Sequence, residues 1–151
     1  PALGAGLAIA ASADLIITSE KGSLALPEID VGLLGGGSHA ARLFPHTMLR
    51  KMMFTGYRVP ADELYRLGVV LQVTTPEGLM PAALELAQTI ANKSPLSIGL
   101  AKQTLNAIED MSLRDGYRYE QDMTAAIAKT EDAKEAQRAF LEKRAAVFVG
   151  R

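Results

Sequence analysis

The chain has 151 residues, 48% hydrophobic and 22% charged, enough apolar mass for one domain and too little charge for a disordered segment. A net charge of −1 with scattered Lys and Arg excludes the basic stripe that nucleic-acid binding needs. The absence of cysteine excludes disulfides and thiolate chemistry, and two histidines, His39 and His46, are too few and too separate for a zinc site. With no bilayer-length apolar run and no charged leader before the apolar start, the expectation is a soluble, cytoplasmic globular protein without membrane partners. Pro1 opens straight into a turn-and-helix pattern, so a truncated or processed chain is also expected.

In chain order, Ala5 to Ala13 predicts a helix of small residues. Leu15 to Thr18 and Ser23 to Leu26 predict short apolar strands, and Gly32 to Gly37 a turn. Gly36 to Leu43 and Thr47 to Phe54 follow as helices, with Met48, Met52 and Met53 at core spacing. Pro60 and Gly68 bracket a helix over Ala61–Leu67, and Val69 to Val73 predicts a further strand. From Thr75 onward the pattern is helical. Thr75-Pro76 and Ser94-Pro95 each supply a capping residue and a proline for the first turn. Leu79, Ala83, Leu86 and Ile90 form one apolar stripe. Ser112 caps a helix with Leu113, Tyr117, Glu120, Thr124 and Ile127 at helical spacing. Thr130-Glu131-Asp132 opens the last helix with two carboxylates at its positive end. These helices have apolar faces that either fold back on the first half or meet another subunit.

The chemistry-bearing residues cluster early. Gly4-Ala5-Gly6 stands at a helix start, where unpartnered backbone N–H groups can stabilise an oxyanion; a tight turn for close helix packing explains the same residues. A dinucleotide-binding fingerprint fits less well, because Ile9 stands where a third small residue belongs. Glu28 follows Pro27 at the end of an apolar strand, a half-buried place for an acid or base; a surface carboxylate on a strand end is the plainer reading. Asp14 reads as a structural hydrogen-bonding residue, and Asp30 alternates to the strand face opposite Ile29. Gly35-Gly36-Gly37 lets a ligand approach the backbone, with Ser38 and His39 beyond it; a lone histidine there also fits simple exposure.

Taken in order, these residues resemble the enoyl-CoA hydratase/isomerase (crotonase) superfamily. The landmarks are Ala2-Leu3-Gly4-Ala5-Gly6, Ser12-Ala13-Asp14-Leu15, Leu26-Pro27-Glu28-Ile29 and Val31-Gly32-Leu33. Further along come Thr55-Gly56, Ala61-Asp62-Glu63, Leu67-Gly68-Val69-Val70, Lys93-Ser94-Pro95-Leu96 and Ala139-Phe140-Leu141-Glu142-Lys143-Arg144. The resemblance implies an α/β fold: the C-terminal part of a ClpP/crotonase-like ββα spiral over residues 1–73. An α-helical trimerisation and acyl-CoA-binding region follows over 74–151. It implies an acyl-CoA thioester substrate, homo-trimers or hexamers, and no cofactor or metal beyond the coenzyme A of the substrate. It also implies that an upstream segment of the spiral, with a second oxyanion donor, lies outside this chain.

The resemblance implies catalytic roles for Glu28 and for the backbone N–H of Ala5. It places Gly4, Gly6, Ala8, Leu33, Gly36, His39 and Lys143 at the substrate. Lys143 and Arg144 resemble a basic pair that reaches coenzyme A phosphates, although capping of a helix C-terminus fits them equally. Family hydratases resemble one another in carrying two glutamates. One maps to Glu28, whereas the other maps to Ala8, which cannot activate water. A single glutamate is similar to the enoyl-CoA isomerase pattern, so isomerisation is the favoured expectation. Hydratase or other crotonase chemistry, with groups from outside this chain, is the alternative, and a non-catalytic acyl-CoA-binding subunit is a third.

Overall fold

The computed structural model describes all 151 residues. The elements run β1 (Ala2–Leu3), α1 (Ala5–Ala11), β2 (Ile17–Ser19), β3 (Ser23–Ala25), a 3₁₀ helix (Pro27–Val31), α2 (Gly37–Ala41) and α3 (His46–Thr55). They continue β4 (Val59–Pro60), α4 (Ala61–Arg66), β5 (Gln72–Thr74), α5 (Leu79–Ala91), α6 (Pro95–Ile108), α7 (Leu113–Ile127) and α8 (Glu131–Glu142). The chain divides into two units, Pro1–Glu85 and Leu86–Arg151.

In the first unit β3 is central, parallel to β1 (Ala2 opposite Leu24) and antiparallel to β4 (Leu24 opposite Val59). A separate parallel pair joins β2 to β5, with Ile17 opposite Gln72. Leu7, Leu26, Met52, Val59 and Leu64 are fully buried, and Met48 and Met53 pack against that core, as their helical spacing predicts. Helix α1 stops at Ala11, two residues early, where Ser12 Oγ donates to Ala8 O at 2.9 Å and the chain tightens into a turn. The strand expected from Val69 begins only at Gln72. Val69 N instead donates to Leu64 O at 2.9 Å, closing the end of α4. Strands β1 and β4 are two residues each, too short to leave a period in the sequence.

Thr75 caps a turn rather than a helix: Gly78 N donates to its carbonyl and hydroxyl oxygens at 3.1 Å, and α5 opens one residue later. The stripe Leu79, Ala83, Leu86 and Ile90 is the half-buried face of α5.

In the second unit the three predicted caps are present. Ser94 Oγ accepts from Ser97 N at 3.3 Å, Ser112 Oγ from Asp115 N at 3.1 Å, and Thr130 Oγ1 from Ala133 N at 3.1 Å. The stripe expected on α7 is rotated. Leu113 and Tyr117 are 92% and 61% exposed, while Gly116 is buried against Ile108 and Tyr119, Met123 and Ile127 are half-buried. Between α6 and α7 runs a groove of about 430 Å³, lined by Leu100, Leu105, Ile108, Met123 and Ile127 among others, with the carboxylate-bearing Glu120 at its side.

The C-terminal tail is held by α8. Asp132, buried, accepts from Ser94 Oγ at 2.6 Å, Val149 N at 2.7 Å and Gly150 N at 3.1 Å, and its own N–H donates to Arg151 O at 3.0 Å. The Ser94 hydrogen bond, with those from Val149 and Gly150, holds its carboxyl below the usual carboxylate range against the opposing effect of burial. Glu135 pairs with Arg144 at 2.6 Å and accepts from Val147 N at 3.1 Å, which lowers its carboxyl to about 2.

Candidate active site

The site is built where β1 turns into α1. Gly4 N donates to Ala25 O at 3.0 Å, tying the end of β1 to the end of β3. The backbone then turns at Gly4 with φ 52° and ψ −117°, a conformation that side-chain-bearing residues avoid. The first bond of α1 runs from Ala8 N to Gly4 O at 3.2 Å. The N–H groups of Ala5, Gly6 and Leu7 therefore precede the helical ladder and have no intrahelical acceptor. Ala5 is exposed.

Glu28 arrives from β3. The expectation of a strand-end carboxylate is corrected: Glu28 is the second residue of the 3₁₀ helix Pro27–Val31. Pro27 has no N–H with which to extend a ladder, and its fixed φ suits the first position of a helical turn. The turn is closed by Gly32 N to Ile29 O at 3.1 Å and Leu33 N to Glu28 O at 2.9 Å. Strand alternation between Ile29 and Asp30 accordingly does not exist here.

The Glu28 carboxylate lies directly against Gly4. A Cβ built on Gly4 would overlap Glu28 Oε1 and stand 3.4 Å from Glu28 Cδ. Glu28 Oε2 is buried and has no hydrogen-bond partner within the protein. Such an oxygen is costly to leave unpaired, and a reacting proton is one physical reason for it.

The other expected site residues divide into three groups. Ala8 is half-buried one turn into α1, and Gly6 has only an ordinary contact to Ala2 on its Cβ side, at 3.6 Å. Leu33 is joined to Glu28 by its backbone hydrogen bond and leaves its side chain 63% exposed; Gly36 packs on the side chain of Leu26, two residues before Glu28. His39 is exposed on α2, and Lys143 belongs to the second unit. The basic pair is divided in role. Arg144 is bound by Glu135 at 2.6 and 3.1 Å and by Glu142 at 2.6 Å. Lys143 sits exposed in the left-handed region, at φ 52°. Sequence reading set Asp30 aside as alternating to the strand face opposite Ile29; its carboxylate packs on Gly56, at the end of α3, with Oδ2 2.8 Å from where a Cβ would stand. The Thr55-Gly56 pair was visible as a landmark, but nothing local tied it to Asp30.

A glycine-hinged helix start thus faces a proline-led glutamate at the ends of two short parallel strands, the two features the crotonase resemblance singles out. The family model described as enoyl-CoA hydratase/isomerase matches residues 1–151, and the chain belongs to that family. Carnitinyl-CoA dehydratase of Salmonella typhi is 38% identical over 157 residues, covering 99% of this chain and 60% of the relative. Enoyl-CoA hydratase subunit I of Geobacillus kaustophilus superposes with a TM-score of 0.93 at 33% identity, covering 99% of this chain and 60% of that one. The enoyl-CoA hydratase of Mycobacterium tuberculosis superposes with a TM-score of 0.94 at 26% identity, covering 99% and 61%. The chain thus spans about 60% of the length of the curated relatives it matches. The fold is the crotonase fold, as the motifs predicted.

Proposed function

We propose that the protein carrying this chain interconverts a β-hydroxyacyl-CoA and the corresponding 2-enoyl-CoA, with Glu28 as the acid–base group. The observation that carries this reading is the buried, unpartnered Glu28 Oε2, on a carboxylate seated against Gly4, the residue that precedes α1. In the dehydration direction Glu28 takes the proton from C2, and the electron pair moves onto the thioester oxygen, where the Ala5 N–H stabilises it. Collapse of the enolate expels the C3 hydroxyl, which takes the same proton from Glu28 and leaves as water. The carboxylate is regenerated, so one glutamate is sufficient when both groups depart from one face. Only protons and water move, and the coenzyme A of the substrate is the one non-protein group required.

The expectation of isomerisation rested on Ala8 standing where a second glutamate is common. The relatives, named as a dehydratase and as hydratases, favour the hydration reading instead. Isomerisation remains the second reading because Glu28 could return its proton to C4 rather than to a hydroxyl. In the wider assignment, Gly4, Gly6, Ala8, Leu33, Gly36 and His39 border the acyl group, and Lys143 meets a coenzyme A phosphate in a homo-trimer or hexamer in the cytoplasm. These roles rest on the family resemblance.

The test is Glu28→Gln in the whole protein, assayed with 2-enoyl-CoA for hydration and with 3-enoyl-CoA for isomerisation. Hydration that falls by about 10²–10⁴-fold supports the proposal. Turnover of 3-enoyl-CoA alone supports the isomerase, and turnover surviving the substitution removes Glu28 from the chemistry.

A further inference from the structure

The 3₁₀ helix that carries Glu28 lies alongside α3. It is five residues long, has no side-chain cap and contains no buried residue. Its apolar side chains face outward, with Ile29 43% and Val31 73% exposed. Both of its carboxylates adjoin a glycine. Glu28 rests on Gly4, and Asp30 rests on Gly56, whose φ is 64°. The second seat is close on several atoms: from the position of a Cβ on Gly56, Asp30 Oδ2, Oδ1 and Cγ lie at 2.8, 3.1 and 3.2 Å. Gly56 terminates α3, whose Met52 is fully buried in the core, so this seat joins the 3₁₀ turn to an element anchored in the core.

We infer that Asp30, seated on Gly56, is a positioning residue that sets the Glu28 carboxylate against Gly4. The inference rests on the proposed role of Glu28 in the reaction. The role is one of shape. The carboxylate of Asp30 fills the space left by the missing Gly56 side chain, and Glu28 lies two residues before it in the same 3₁₀ helix, within one turn. Displacement of a catalytic group by about 1 Å can cost about 100-fold in rate, so a seat of this kind acts on kcat rather than on substrate binding.

The experiment uses the whole protein with Asp30→Ala, Asp30→Asn, Gly56→Ala and the double variant Asp30→Ala/Gly56→Ala. Hydration kinetics are read beside amide hydrogen exchange at Gly32 and Leu33, whose N–H groups close the turn. Asp30→Ala and Gly56→Ala should each lower kcat about tenfold with KM within about twofold, and both should speed exchange at those amides. The double variant should be no worse than Gly56→Ala, because two residues sharing one contact do not act additively. Asp30→Asn keeps the shape and should stay near wild type.

Losses that multiply in the double variant, or unchanged exchange at Gly32 and Leu33, would overturn the inference. If Gly56→Ala fails to fold, Asp30→Ala against Asp30→Asn decides: equal losses overturn it, and a loss confined to alanine supports it. Glu28→Gln run in parallel separates the two claims. If that variant keeps its turnover, the proposed function fails, and the exchange of the two amides alone judges whether Asp30 positions the turn.

Discussion

The Cα of Gly4 and the carboxylate of Glu28 occupy adjoining space: no side chain fits on residue 4 without moving residue 28. Glycine is therefore required twice at this position, once for its φ of 52° and once for the room it leaves. Gly4→Ala should destabilise the fold by about 1–3 kcal/mol through backbone strain. It should also lower kcat by about 100-fold through displacement of Glu28. Denaturant unfolding and steady-state kinetics measure the two effects separately, and a variant with strain but normal kcat would show that Glu28 does not depend on Gly4.

Ala8 offers the complementary test of reaction class. It is half-buried one turn beyond Gly4, on the helix that Gly4 opens beside Glu28. If a single carboxylate limits hydration, Ala8→Glu should raise the hydration kcat by about tenfold or more, by adding a group that can activate water. An unchanged or lower rate would show that hydration does not lack a second carboxylate at this position, as when Glu28 is sufficient by itself.

The tail latch makes a prediction about acid. Glu135 is lowered from 4.5 to about 2, first by its hydrogen bond from Arg144 and then by that from Val147 N. A depressed folded-state value means that the stabilisation is fully present above the unfolded value and is lost as pH falls through the folded one. Protection of the Val147 amide should therefore persist at pH 5 and disappear on titration toward about pH 2. In Arg144→Gln the loss should set in at higher pH, because the largest cause of the lowering is removed while the Val147 N–H remains. Hydrogen exchange followed by mass spectrometry gives the midpoint, and identical midpoints in the two proteins would contradict the assignment.

Asp132 should matter more than its sequence context suggests. Asp132→Ala removes the acceptor shared by Ser94 Oγ, Val149 N and Gly150 N. Exchange at Val149 and Gly150 should accelerate by about tenfold or more, while the helical amides of α3 in the other unit remain protected. Asp132→Asn, which keeps one oxygen acceptor, should fall between alanine and wild type.

Met52 tests the core of the first unit. It is fully buried, with Met48 and Met53 packed nearby. Met52→Ala should cost about 2–5 kcal/mol, seen as a lower denaturant midpoint at unchanged slope.

By itself the sequence determined the features whose partners are close along the chain. The caps at Ser94, Ser112 and Thr130 bond the N–H three residues on, and the stripe of α5 repeats within one helix, so both are legible without a fold. The order of motifs from Gly4 to Arg144 was likewise enough to indicate the family. Tertiary structure alone decided what depends on distant neighbours. Asp132 reads as a first-turn acid until Ser94 and Val149, 38 and 17 residues away, are brought to it. The α7 stripe read from spacing is rotated because burial depends on where α6 lies, and Gly116 is what lets α6 approach. Glu28 was visible as a candidate, but not its 3₁₀ turn, its seat on Gly4 or the part of Asp30 and Gly56. Those depend on contacts between segments that the chain brings together only when its core closes, and no local periodicity encodes them.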